Sequence, residues 1–130
     1  SERRGLTPLA TIVAHTTHSQ EPRWFTTAPI GAMQKLFDKT GWSKEEVGLY
    51  EINEAFAVVP MAARREFDLP ADKVNIHGGA CALGHPVGAS GGRIIAALIT
   101  AMQKNDVKKG VAAICIGGGE ATAVAIERAA

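Results

Sequence analysis

The segment GGACALGHPVGASGG, residues 78–92, sets an imidazole, His85, in a run of bare backbone just ahead of a long apolar stretch. Glycines let the main chain approach a ligand or a second domain closely, because no Cβ intervenes. An imidazole there can donate a hydrogen bond or accept a proton near neutral pH, and a helix N-terminus close by offers unpaired N–H groups to a developing anion. Two further segments supply company. Asn53 heads NEAFA (53–57) and Cys115 heads CIGGG (115–119), each just past a short apolar run. If those runs are strands, both residues arrive at the rim where open parallel sheets hold their sites. An ordinary cysteine is only about 3% thiolate at pH 7, so Cys115 needs a local push to act as a base. Taken singly, a histidine in a tight turn and a buried inert thiol are the plain readings. Three polar candidates at three loop ends of one sheet are harder to set aside.

The elements that must position them alternate along the chain. PLATIVAHTTH (8–18) is rich in β-branched residues and reads as a strand. After the loop SQEPRWFTT, Thr27 caps a helix with Pro29 in its first turn, Ile30, Met33, Leu36 and Phe37 on one face, and Gly41 past its end. SKEE (43–46) has capping-box spacing. VGLYEI (47–52) reads as a buried strand and NEAFAVVPMAARREF (53–67) as a helix, in which Pro60 demands a late start or a kink. KVNIH (73–77) is a brief strand candidate, and Ser90 is placed to cap a helix with an apolar stripe of Ile94, Ile95, Leu98, Ile99 and Met102. VAAICI (111–116) is apolar throughout, as a strand buried on both faces should be, and ATAVAIE closes the chain as a strand antiparallel to it beyond Gly117–Gly119. The sum is one layered α/β domain over 1–130 with a five-stranded, mixed and mostly parallel sheet covered by helices.

Composition excludes several function classes. A formal net charge of +1 over 130 residues gives no electrostatic reason for nucleic acid or an anionic membrane surface. No run approaches the roughly 18 apolar residues of a membrane span, and no signal-peptide core opens the chain, so a cytoplasmic location is expected. Cys81 and Cys115 form no CxxC pair, and His15 and His18, three apart on a strand, face opposite sides, so no metal site is expected. The glycine run fits neither the phosphate-loop nor the dinucleotide pattern. Arg64–Arg65 and Lys108–Lys109 read as solvated faces, and His77 as structural.

NEAFA, GGACALGHPVGASGGRI and CIGGGEATAVAIE, in this order and spacing, closely resemble the C-terminal half of the thiolases, the acetyl-CoA acetyltransferases and 3-ketoacyl-CoA thiolases. The related ketoacyl synthases carry a GHT-type motif at the histidine and do not end in CxGGG. The resemblance implies that His85 activates a nucleophilic cysteine and helps form an oxyanion hole, in which Asn53 holds a water. It implies that Cys115 is the acid/base at the α-carbon of acetyl-CoA. The Gly117 backbone N–H matches a donor of a second oxyanion hole, and Phe56, Ala55 and Phe25 match positions lining the acyl pocket. One preorganised oxyanion donor is worth roughly 3 to 4 kcal/mol. The implied reaction is reversible Claisen condensation by ping-pong chemistry, with coenzyme A thioesters as substrates and no metal or redox cofactor.

The departure from the family is large. Nothing in these residues matches its nucleophilic cysteine motif or the loop region that carries most coenzyme A contacts, and Cys81 reads as packing. The expectation is therefore the catalytic C-terminal half of a thiolase, inactive alone, pairing with an N-terminal half in a parent enzyme that is a homodimer or homotetramer. The rival is a non-catalytic thiolase-like binding subunit that pairs with another chain; retention of Asn53, His85 and Cys115 together argues against it.

Overall fold

The computed structural model describes residues 2–129. Its sheet has the order β1 (Ala10–Ser19), β4 (Glu120–Arg128), β3 (Lys109–Ile116) and β2 (Leu49–Ile52). β2 pairs with β3 in parallel, whereas β4 is antiparallel to both β1 and β3. Three strands therefore run in one direction, and their C-terminal ends open on one rim.

Helices α1 (Ala28–Thr40) and α2 (Val58–Phe67) cover one face of the sheet and α4 (Ser90–Lys104) the other. On the first face Ala121, Ala123 and Ala125 of β4 lie under Ala28, Ala32, Met33 and Leu36. The small side chains let α1 settle close to the strands, and Thr16 Oγ1 reaches across to donate to Ala32 O at 2.6 Å. On the second face Ile94, Leu98 and Met102 of α4 meet Leu49, Ala112 and Ile126, the stripe expected from their helical spacing. The anticipated capping box forms: Glu46 N donates to Ser43 Oγ at 3.3 Å, and Ser43 N to Glu46 Oε2 at 2.8 Å.

Three local expectations change. The fifth strand at 73–77 shrinks to a single parallel bridge, Tyr50 to Val74, because Asn75 turns left-handed (φ 49°) and its side chain takes over the pairing. Its Oδ1 accepts from Ile52 N and its Nδ2 donates to Ile52 O, both at 2.8 Å, so an amide side chain stands in for a strand. The late start that Pro60 demanded is observed, since α2 begins only at Val58 and Pro60 falls in the first turn where its missing N–H goes unused. The loop 19–27 coils into a 3-10 turn, Pro22–Thr27. Ser90 is not a capping residue; the turn from Pro86 begins the coil earlier, Ser90 is already helical, and its hydroxyl is engaged elsewhere. A short helix, α3 (Ala80–Leu83), also forms inside the glycine segment.

Candidate active site

Two adjacent residues at the end of β2 grip the glycine segment. Glu54 accepts from Cys81 N at 3.0 Å and from Asn75 Nδ2 at 3.1 Å. A Cβ on Gly79 would overlap the Glu54 carboxylate, so a larger residue there would push that carboxylate out of its present place. Burial pushes the Glu54 carboxyl up, yet the hydrogen bonds from Cys81 and Asn75 and the charge of Arg93 outweigh it and hold the group below its ordinary value. Asn53, 1% exposed, reaches the other way, its Nδ2 lying 3.5 Å from His85 Nε2.

The imidazole is held at both nitrogens. His85 Nδ1 lies 2.5 Å from Ser90 Oγ, and that fully buried hydroxyl also faces Pro86 O at 3.2 Å. Asn53 Oδ1 in turn accepts from Arg93 Nη2 at 3.4 Å. The path Arg93, Asn53, His85, Ser90, Pro86 is an unbroken line of polar contacts from the first turn of α4 back to the start of the turn that precedes it. Such a line fixes the ring plane.

Beneath this line lies a charge the apolar run 47–52 conceals. Glu51, 2% exposed, shares with Leu49 the side of β2 that faces α4. Burial pushes its carboxyl up to about 7, with Arg93 pulling it down and Glu54 adding to the rise. Arg93 Nε and Nη1 are enclosed without a hydrogen-bond partner among the described residues, so charge and packing hold the guanidinium there. Sequence reasoning passed over Glu51, Ser90 and Arg93 as site residues. The available signals were a carboxylate in an otherwise apolar strand and an arginine opening an apolar helix.

Cys115 approaches from the opposite face. Strand alternation groups it with Val111, Ala113 and Ala121 in the core under α1 and α2, where Phe25 and Ala55 also pack. Asn53 N donates to Ala113 O at 2.9 Å, which puts the Asn53 and Cys115 Cα atoms on neighbouring strands about 6 Å apart. Among the described residues no hydrogen bond joins the thiol to Asn53 or His85. Burial pushes the Cys115 thiol above its ordinary value, so it is a held proton at neutral pH. Gly117 is exposed in the turn that follows, and Gly119 N donates back to Ile116 O at 3.1 Å. Phe25, from the 3-10 turn, meets Phe56 edge-on at 6.1 Å between ring centroids. The expected site residues thus form two groups at one rim, a polar group on the α4 side and a thiol with an aromatic pair on the α1 side. No cluster of metal-ligating side chains occurs among the described residues, and no helix is long and apolar enough to cross a membrane.

A strand-end amide thus lies beside a glycine-flanked imidazole, with a thiol on the adjacent strand. Residues 6–128 match the family model described as thiolase, C-terminal domain, and the chain belongs to that family. It is 48% identical over 126 residues to an acetyl-CoA acetyltransferase of Paracoccus denitrificans, covering 97% of this chain and 32% of that protein. It is 48% identical over 128 residues to a cytosolic acetyl-CoA acetyltransferase of Mus musculus, covering 98% of this chain and 32% of that one. Among solved structures it superposes on the Bacillus anthracis acetyl-CoA acetyltransferase with a TM-score of 0.95 at 40% identity, covering 98% of this chain and 32% of that one. Human mitochondrial 3-ketoacyl-CoA thiolase gives 0.95 at 39% identity over the same shares. The chain therefore spans about a third of the length of the relatives it matches.

Proposed function

We propose that these residues form the acid/base and oxyanion half of a thiolase active site, acting on coenzyme A thioesters by reversible Claisen condensation. The observation that carries the reading is the Asn53–His85 contact at the end of β2, one residue short of Cys115 on the neighbouring strand. In the condensing direction an acyl group rides on a cysteine supplied by polypeptide outside these residues. Cys115 gives its proton to the CoA thiolate that leaves when that acyl group is loaded. The Cys115 thiolate so formed takes a proton from the α-carbon of a second acetyl-CoA, and the resulting carbanion forms the new carbon–carbon bond to the acyl carbonyl. The carbon–sulfur bond to the nucleophile breaks, and the departing thiolate recovers its proton through the His85 imidazole. His85 and the Asn53 amide steady the oxygen of one thioester, and the Gly117 N–H that of the other. No residue here matches the nucleophilic cysteine motif of the thiolases, so these residues are inactive alone and work together with the N-terminal part of a thiolase.

The test joins this chain to the remaining two thirds of the Paracoccus denitrificans relative and follows loss of acetoacetyl-CoA in the presence of CoA. The isolated chain should be silent and the chimera active, with Cys115→Ala abolishing turnover. Turnover by the isolated chain, or a folded chimera without activity, overturns the reading.

A further inference from the structure

The line of contacts through His85 can run in two senses. In one, Asn53 Nδ2 donates to His85 Nε2, Nδ1–H donates to Ser90 Oγ, and the hydroxyl proton goes to Pro86 O. In the other, the amide is turned over, Nε2–H donates to Asn53 Oδ1, and Ser90 donates to Nδ1. Every hydroxyl, amide and neutral imidazole can play either part, so these residues alone leave the two senses balanced.

A guanidinium cannot reverse. Arg93 has donors only, and its Nη2 lies 3.4 Å from the Asn53 side-chain oxygen. Turning the amide over would set its NH₂ against an enclosed cation and leave a buried donor facing a donor. Arg93 Nε and Nη1 are enclosed, and the Glu51 carboxyl on the same side of the sheet attracts the guanidinium and favours its staying beside the amide.

We propose that Arg93 is a positioning residue which, by holding the Asn53 amide in one orientation, fixes His85 as the Nδ1–H tautomer, its Nε2 lone pair accepting from the Asn53 amide. That tautomer leaves Nε2 unprotonated, so a thiol that displaces the Asn53 amide from it can deliver a proton there, and the consequence for catalysis rests on the thiolase reading above.

The test reads the ring itself. In the ¹⁵N-labelled chain at alkaline pH, two-bond proton–nitrogen correlation reports which nitrogen of His85 carries the proton, with the His85→Asn sample giving the assignment. The expected result is a dominant Nδ1–H form in the parent chain and in Glu51→Gln, where Arg93 still faces the amide. In Arg93→Met the ratio of Nδ1–H to Nε2–H should fall by about fivefold or more, as when one net hydrogen bond is lost. Arg93→Met strands the Glu51 carboxyl, so the Glu51→Gln/Arg93→Met pair, which removes both buried charges, gives a second and better tolerated reading with the same expected fall. A folded double variant whose ratio stays at the parent value overturns the proposal, because a purely structural arginine would alter melting and not the tautomer. The ring signal needs no turnover. An inactive chimera therefore counts against the thiolase chemistry and leaves the assignment of Arg93 to the spectrum.

Discussion

The Asn53 amide nitrogen lies 3.5 Å from His85 Nε2, joining the end of β2 to the glycine segment more than thirty residues later in the chain. Asn53 is itself pinned to β3 through its backbone N–H to Ala113 O, so the amide is aimed by the sheet and not by a flexible loop. In the chimera, Asn53→Ala should lower kcat by about 10² to 10³, the usual loss on removing one preorganised donor, with KM for the thioester changed little. Steady-state kinetics check this, and an unchanged kcat would remove Asn53 from the chemistry.

The turn after Cys115 has no room for a side chain at its last residue. Gly119 sits at φ 92°, and a Cβ there would run into Gln20 O and the backbone of Pro22. Gly119→Ala should therefore cost about 2 kcal/mol or more, read as a lower urea midpoint with an unchanged slope. The obstacle is backbone on both sides, so no rotamer change can relieve it.

Glu51 should leave a mark on the pH dependence of folding. Its folded-state pKa, raised by burial to about 7, lies above its ordinary 4.5. Its protonated form is the one the fold prefers, so its contribution is complete below about 4.5 and declines as pH rises through about 7. The total decline is about 3 kcal/mol, an order-of-magnitude figure. Chemical denaturation at a series of pH values should show Glu51→Gln with a flatter profile across that window. An identical slope in both proteins would mean that the carboxyl stays ionised in the fold.

The Phe25–Phe56 pair should act on the acyl group more than on the fold. Phe56 is 59% exposed, so Phe56→Ala should cost at most about 1.5 kcal/mol of stability, chiefly the edge-on aromatic contact. In the chimera the same change should shift the kcat/KM ratio of longer to shorter 3-ketoacyl-CoA substrates upward by about tenfold. Competition between two chain lengths measures that ratio directly.

Asn75 replaces a strand with one side chain, and its removal should show how much that is worth. Asn75→Ala leaves both Ile52 N and Ile52 O without their 2.8 Å partners beside a buried strand. The expected loss is about 2 to 4 kcal/mol, seen as a lowered unfolding midpoint.

The regular part of this architecture could be read from pattern because its signals are local. The apolar run 111–116, the stripe from Ile94 to Met102 and the glycine turn each state their own geometry. Asn75 could not be read that way. Its left-handed backbone and its bonds to Ile52 depend on a strand more than twenty residues away, and KVNIH alone looks like ordinary β sequence. The site divides similarly. Asn53, His85 and Cys115 stand out as polar groups at apolar run ends, whereas Ser90 resembled a helix cap because its true partner, His85, lies across the turn at Pro86. Glu51 and Arg93 were masked for the opposite reason, since an apolar neighbourhood draws attention away from the single charge within it.

The amide of Asn75 also gives the molecule a polarity with respect to growth. With that side chain and the Val74 bridge occupying the outer margin of β2, the sheet has a blind side, and β1 presents the margin still open to strand addition. A strand adding along β2 would have to displace that amide and bridge, whereas one adding along β1 would break no bond among the described residues. Asn75 and Val74 together thus direct any growth of the sheet away from β2.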